Sequence, residues 1–141
     1  MDIDKKYMQM ALAEARKAYQ QAEVPIGAVV VCNDKVVGRG FNRREQTQDP
    51  TSHAEMIALR EAAEKEASWR LEECQLYVTL EPCPMCAGAI LQSRIKRLVF
   101  AARDPKAGAV KSLYQLLEDN RFNHQVEVVE GIMKDESAQL L

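Results

Sequence analysis

The run Ile26-Gly27-Ala28-Val29-Val30-Val31 is continuously apolar and rich in valine. Such a run is typical of a strand that is buried on both faces of a sheet. The turn signal Asn33-Asp34 follows it, and residues 35–40 are predicted to return as a second strand. Upstream, residues 2–21 place apolar side chains at helical spacing. This predicted helix ends at Glu23-Val24-Pro25, because proline disfavours helix at the residue before it.

Helices and strands continue to alternate further along the chain. The predicted elements are helices at 52–67, 83–92 and 112–118, strands at 76–80, 98–102 and 125–130, and the start of a helix at 134–141. The segment 41–51 is polar and is predicted to be irregular. Because only one pair of strands forms a tight hairpin, the pattern predicts an α/β fold, namely a three-layer α/β/α sandwich with a mixed five-stranded sheet.

The length and charge of the chain bound its class. With 141 residues it is expected to form one domain. The formal net charge of −2 gives no support to non-specific nucleic-acid binding, so any grip on phosphates would have to come from a local patch. No apolar run is long enough to span a membrane, and the first residues have no signal-peptide pattern. The cytoplasm is therefore the expected location.

The four cysteines fall into two groups. Cys83 and Cys86 have the C-x-x-C spacing, which in a cytosolic chain indicates metal or redox chemistry. Cys32 and Cys74 belong to no such motif, and we expect both to be small, unpaired core residues without a chemical role.

The residue types needed for a hydrolytic metal site occur at the predicted starts of two helices. His53 and Glu55 fall in the first turn of one, and Cys83 and Cys86 in the first turn of the other. Positions i and i+3 share a helix face, and the positive helix ends favour thiolate over thiol. One imidazole and two thiolates leave a tetrahedral zinc ion one open position, as hydrolysis requires. Glu55 beside the metal suits general acid/base work.

Each part of this pattern has a plainer interpretation. Ser52-x-x-Glu55 matches the capping box, in which the glutamate binds the serine N–H. C-x-x-C alone fits a redox pair or half of a structural zinc site, although His124, the other histidine, has no ligand-like neighbour. The combination is more specific, because His-x-Glu followed about thirty residues later by Pro-Cys-x-x-Cys is the signature of zinc deaminases.

The chain resembles the cytidine deaminase-like superfamily and, within it, the bacterial tRNA-specific adenosine deaminases. Those enzymes convert the wobble adenosine of an anticodon to inosine. The segments that carry the resemblance are Glu23–Val29, Gly40–Asn42, His53–Glu55, Trp69–Leu71, Tyr77–Gly88 and Ser93–Ile95.

This resemblance implies roles for individual residues. His53, Cys83 and Cys86 would bind one Zn²⁺ per subunit, and Glu55 would carry protons. The implied substrate-binding residues are Asn42, Val24, Pro25, Ile26 and Ala54. A homodimer acting on a tRNA anticodon stem-loop is expected, and the residues considered for phosphate contact are Arg43, Arg44, Arg94, Lys96, Arg97, Arg103, Lys106 and Lys111.

Two further expectations follow from the resemblance. Residues 1–141 would form a single zinc-dependent deaminase domain whose C-terminal helix is cut short at Leu140-Leu141, since family members continue into a helix with aromatic and basic residues. The alternatives to tRNA adenosine are a deaminase of free cytidine, guanine or deoxycytidylate, and a non-catalytic zinc module that binds RNA.

Overall fold

The structure is a computed structural model that describes residues 2–141. Helices and strands alternate along most of the chain. The strands are β1 Gly27–Cys32, β2 Lys35–Phe41, β3 Cys74–Leu80, β4 Arg97–Ala102 and β5 Glu127–Glu130. The helices are α1 Asp2–Gln20, α2 Arg44–Thr47, α3 Ala54–Glu66, α4 Pro84–Gln92 and α5 Lys134–Leu140. Among these helices, none has the length and apolar character needed to cross a membrane.

The five strands form one mixed sheet in the order β2-β1-β3-β4-β5. Strand β1 runs antiparallel to both β2 and β3, whereas β3, β4 and β5 are mutually parallel neighbours. The predicted fold class is confirmed. Because β3 and β4 are parallel, their carboxyl ends lie at the same edge of the sheet, and α4 begins at that edge.

Helices cover both faces of the sheet. Every residue of β1 is buried, as the apolar run predicts. One face of the sheet packs against α3 and α4, and its buried side chains include Ala28, Val30, Leu76, Val78, Leu98 and Phe100. The other face packs against α1, with Val29, Val31, Tyr77 and Val99 meeting Tyr7, Met8 and Ala11. A Cβ at Gly40 would overlap the carbonyl oxygen of Ala54, so β2 lies directly against the start of α3.

Two local predictions were wrong. The helix predicted at 112–118 is a 3-10 turn at Leu116–Glu118, because the Glu81 carboxylate accepts the N–H groups of residues 110–112 and holds them in a loop. The segment 41–51, predicted to be irregular, contains the short helix α2.

The expectation that Cys32 and Cys74 are unpaired was also wrong. They form a disulfide between β1 and β3, although 42 positions separate them in the sequence. They lie directly opposite each other in the antiparallel register, with their Cα atoms 4.3 Å apart. The register of the strands, which no local motif encodes, brings them together.

A buried ion pair ties α1 to the sheet. The guanidinium of Arg97 donates to both carboxylate oxygens of Asp4 at 2.9 and 2.8 Å, and the Tyr77 hydroxyl donates to the same carboxylate at 2.7 Å. The side chain of Asp4 is 5% exposed and that of Arg97 is 16% exposed. Hydrogen bonding from Arg97 lowers the pKa of Asp4.

Asp4→Ala is expected to lower the free energy of unfolding by about 3 kcal/mol, because it removes the buried carboxylate from the ion pair. Arg97 then keeps only the Gln75 side chain and the exposed Glu127 carboxylate as partners. The folded-state pKa of Asp4 lies below its unfolded value, so this stabilisation is complete above about pH 4 and is lost as the pH falls further. Urea unfolding at pH 7 and pH 3 measures both effects. Asp2→Ala, an exposed change on the same helix turn, should alter stability by no more than about 0.5 kcal/mol. Equal losses in the two variants would contradict the assignment.

Candidate active site

The starts of α3 and α4 converge at one point. His53 is the N-cap of α3 and Cys83 is the N-cap of α4, so each lies one residue before the first turn in which it was predicted. Cys86 lies within the first turn of α4, which Pro84 opens. Proline suits that position because its missing N–H would have no helical partner there. The positive ends of two helices therefore face the same side chains.

His53, Cys83 and Cys86 form a compact cluster. The Nδ1 atom of His53 lies 3.5 Å from each of the two sulfur atoms, and the three ligand atoms all lie within 4.8 Å of one another. Ordinary zinc–sulfur and zinc–nitrogen bonds in a tetrahedral arrangement place nitrogen and sulfur about 3.6 Å apart. The three predicted ligands are therefore compatible with a zinc ion in both type and spacing.

The two thiols of this cluster differ in acidity. A hydrogen bond from Cys86 lowers the pKa of Cys83 to about 4, and the same hydrogen bond together with burial raises the pKa of Cys86. The hydrogen bond to Cys83 raises the pKa of His53. A thiol with a lowered pKa and a thiol with a raised pKa thus lie side by side in the cluster. A metal ion that binds both sulfur atoms must displace the proton of Cys86, so binding releases protons.

Glu55 lies beside this cluster but does not belong to it. Among residues 2–141, the group with metal-ligand spacing consists of His53, Cys83 and Cys86. The Glu55 side chain is buried, with 4% of the residue surface exposed. Burial raises its pKa to about 7. A carboxyl group with a pKa near neutrality both accepts and donates protons readily, which suits a proton carrier.

The capping-box interpretation of Glu55 was wrong. The N-cap of α3 is His53, not Ser52, and no side chain caps this helix end. The backbone N–H of Ser52 donates instead to the carbonyl of Asp49 at 3.1 Å. Glu55 therefore lacks the partner that the capping box requires, and its carboxyl group points into the site.

A small cavity of roughly 40 Å³ opens beside the cluster. Its lining consists of Ile26, Asn42, Arg44, His53, Ala54 and Glu55. Three predicted substrate-binding residues, Asn42, Ile26 and Ala54, are thus brought together with Glu55. Two others, Val24 and Pro25, lie next to the cavity in sequence but not in its lining.

Asn42 holds the turn around this cavity. Its side-chain N–H donates to the carbonyl of Val24 at 3.4 Å, and its side-chain oxygen accepts the N–H of Arg44 at 3.3 Å. Val24, predicted as part of the pocket wall, contributes this carbonyl, while its residue surface is 45% exposed. Arg44 was considered only for phosphate contact. Its place two residues after Asn42, close to the end of β2, was the sequence signal for a role in the cavity lining.

A second buried carboxylate supports the same turn and was missed from the sequence. Glu23 is 5% exposed and accepts the N–H groups of Glu45 and Gln46 at 3.2 and 2.7 Å. It satisfies the free donors at the start of α2, as an N-cap side chain does. Its position next to the predicted pocket wall was the available signal.

The basic residues predicted as candidates for phosphate contact differ in whether other residues already bind their side chains. Arg97 is ruled out, because its guanidinium is held by Asp4 in the buried ion pair. Arg103 pairs with Glu130 at 2.8 Å, and Arg94 donates to a helix-end carbonyl at 2.8 Å. Lys106 makes no side-chain hydrogen bond or ion pair with another residue of the described range 2–141.

Known proteins share both the sequence and the fold. The MafB19-like deaminase family matches residues 2–140. The tRNA-specific adenosine deaminase of Bacillus subtilis (strain 168) is 50% identical over 141 residues, covering 100% of this chain and 88% of that protein. A structure solved in a study of A-to-I editing by tRNA:A34 deaminases at the wobble position of transfer RNA has a TM-score of 0.93 and 45% identity, covering 96% of this chain and 99% of that one.

A more distant likeness shows the fold alone. The guanine deaminase of Nitrosomonas europaea superposes with a TM-score of 0.84 at 24% identity, covering 96% of this chain and 81% of that one. The 50% identity to a tRNA-specific adenosine deaminase, of which 88% is covered, places the sequence nearer to that branch than to the guanine deaminase. The chain belongs to the tRNA-specific adenosine deaminases.

Proposed function

We propose that this protein is a zinc-dependent hydrolase that deaminates adenosine to inosine at the wobble position of tRNA. The observation that carries the proposal is the cluster of His53, Cys83 and Cys86 at zinc-ligand spacing, with the buried carboxyl group of Glu55 beside it. Membership of the tRNA-specific adenosine deaminases supports the substrate. A tRNA substrate also supports a cytoplasmic location.

The three clustered side chains would hold one Zn²⁺ per subunit. Two thiolates, a neutral imidazole and Zn²⁺ together would form a site with no formal net charge. The mixture of sulfur and nitrogen ligands favours zinc over the harder divalent cations. When bound, zinc lowers the pKa of a coordinated water toward about 7, which supplies a nucleophile at neutral pH.

Glu55 would move the protons of the reaction. Water adds to C6 of adenine, the bond from C6 to the exocyclic nitrogen breaks, and ammonia leaves. The Glu55 carboxylate would take one proton from the water and deliver it to N1. It would then take the second proton from the new hydroxyl on C6 and give it to the departing amine. Glu55 lines the same cavity as His53, and its pKa of about 7 supports both directions of transfer.

The turn that carries Asn42 would position the target nucleoside. Its amide group offers both a donor and an acceptor at the cavity. Ile26 and Ala54 supply apolar wall beside it, and Val24 and Pro25 extend that wall outside the cavity. A base turned out of a single-stranded loop meets such a wall by stacking.

Asn42→Ala is expected to lower kcat/KM for an anticodon stem-loop by about 10- to 100-fold, which corresponds to about 1–3 kcal/mol for a lost buried hydrogen bond. Asn42→Asp keeps the acceptor for the Arg44 N–H but loses the donor to the Val24 carbonyl, so it separates the contribution of the donor from that of the acceptor. Steady-state kinetics measure both variants. Asn120→Ala, an exposed loop change, is the matched control. Unchanged kcat/KM in both Asn42 variants would contradict the role.

We also propose a homodimer. The resemblance implies it, and an apolar groove of about 440 Å³ between α3 and α4 supports it. Trp69 lines this groove with 57% of its surface exposed, and an exposed aromatic side chain that is part of a contiguous apolar groove is typical of a protein–protein interface. Sedimentation equilibrium of the wild type should give twice the chain mass, and Trp69→Glu should shift the species toward the monomer. A monomeric wild type at micromolar concentration would contradict the dimer.

A substrate panel tests the function itself. The zinc-loaded protein is incubated with an anticodon stem-loop that carries a wobble adenosine and, separately, with free cytidine, guanine and deoxycytidylate. Ammonia release should occur with the stem-loop and stay at background with the free compounds. Release from a free compound alone would support a nucleobase or nucleotide deaminase instead. Zinc binding with no release from any substrate would support a non-catalytic RNA-binding module.

A further inference from the structure

Glu81 is a buried carboxylate at the carboxyl end of the β3 segment, two residues before the proposed ligand Cys83. It is 3% exposed. One of its oxygens accepts the N–H of Asp104 at 3.0 Å and the hydroxyl of Ser112. The other accepts three successive backbone N–H groups, those of residues 110, 111 and 112, at 3.0, 2.7 and 2.9 Å. These four N–H groups lie outside the strands and helices of residues 2–141, where a backbone carbonyl would accept them. The Glu81 carboxylate is their acceptor instead.

The segment that Glu81 holds, residues 103–112, lies against the metal-ligand turn. The N–H of Ala109 donates to the carbonyl of Pro82 at 2.8 Å, which joins this segment to the residue before Cys83. Gly108 packs directly on the carboxylate, and a Cβ there would overlap it. The packing of Gly108 on Glu81 and the hydrogen bond from Ala109 to Pro82 hold the segment 103–112 next to the candidate active site.

The segment 103–112 carries three of the cations considered for phosphate contact. Arg103 pairs with Glu130, and Lys111 pairs with Glu118. Lys106 forms no such pair with any residue between 2 and 141. Since the whole chain has a net charge of −2, an RNA backbone must be held by cations placed locally, and Lys106 is a free cation on this segment.

We infer that Glu81 is a positioning residue for RNA binding, which holds the segment 103–112 beside the metal-ligand turn so that Lys106 contacts a backbone phosphate next to the target nucleoside. The inference rests on the tRNA substrate of the proposed function. Among residues 2–141, Glu81 belongs neither to the cavity lining nor to the ligand cluster, so it acts through the segment. Removal of the carboxylate leaves several donors without an acceptor, and the segment must then rearrange to expose them to water.

The kinetic test uses Glu81→Gln with an anticodon stem-loop at several salt concentrations. The amide offers an N–H where an acceptor is needed. We expect KM to rise about tenfold while kcat changes less than about twofold, and the slope of log KM against log salt to fall by about 0.7, the value for one lost phosphate contact on a single strand. Lys106→Ala should lower the slope equally, and the double variant should lower it no further. Lys5→Ala, an exposed lysine on α1, is the matched control and should keep the slope.

A second measurement separates this inference from the proposed function. Amide hydrogen exchange of residues 110–112 requires no RNA, and it should quicken in Glu81→Gln while zinc content stays equal to that of the wild type. Ser112→Ala, which removes one donor to the carboxylate and leaves Glu81 in place, should show a smaller change in both exchange and KM.

Unchanged exchange at residues 110–112 would overturn the inference, as would a salt slope that matches the wild type or an additive double variant. A wild type that forms no inosine would overturn the proposed function instead. Faster exchange with inosine formation but an unaltered salt slope would overturn this inference alone.

Discussion

Glu55→Ala is expected to keep one zinc ion per chain and to lose turnover by at least about 10²–10⁴-fold, the range that general acid/base groups contribute. The structure gives the reason for both halves of this result. The carboxyl group lies outside the three-residue cluster, so its removal leaves the ligands in place. It is buried beside that cluster with a pKa raised to about 7, and within the described residues 2–141 no other carboxylate lines the cavity to replace it.

The measurement combines metal analysis with single-turnover inosine formation. Glu64→Gln, an exposed change on the same helix, is the control and should retain full activity. Activity of Glu55→Ala within about threefold of the wild type would show that another group carries the protons. Loss of zinc together with activity would show that Glu55 is a ligand.

Cys86→Ala is expected to reduce zinc well below one per chain and to bring inosine formation to background. The variant offers zinc two protein ligands instead of three, and the affinity for zinc depends on each thiolate. Cys86 is fully buried, so a water molecule has little access to replace its sulfur. His53→Ala and Cys83→Ala should behave in the same way.

The other two cysteines provide the control for this experiment. Replacement of both Cys32 and Cys74 by serine also removes cysteine sulfur atoms. These atoms lie at the last residue of β1 and the first residue of β3, away from the cluster. This variant should keep one zinc per chain, measured by metal analysis after dialysis against a weak chelator. One zinc per chain in Cys86→Ala would show that the ligand assignment is wrong.

The parts of the fold that the sequence predicts are those encoded by local patterns. The valine-rich run became β1, which is buried at all six positions. The two predicted ligand motifs each lie at a helix start. Strand β3 ends shortly before Cys83, so the position of that helix start could be predicted from the sequence. Such patterns depend on residues within one element, and the structure confirms them.

The remaining features depend on contacts between distant segments. The Cys32–Cys74 disulfide follows from the β1–β3 register, and the loop around Glu81 follows from a carboxylate about thirty residues away from its donors. Ser52-x-x-Glu55 has the right spacing for a capping box, but the Ser52 N–H binds Asp49 instead. The spacing of Ser52 and Glu55 does not show whether a capping box forms, because Asp49, which accepts the Ser52 N–H, lies outside the motif.

Direct mapping of inosine in a tRNA transcript tests the central claim. A zinc-loaded wild-type protein is incubated with a transcript that has adenosine at the wobble position and adenosines elsewhere in the anticodon loop, and the product is read by reverse transcription, in which inosine is copied as guanosine. We predict conversion at the wobble position alone, dependent on zinc and absent with Glu55→Ala. No inosine at the wobble position with a zinc-replete protein would contradict the account.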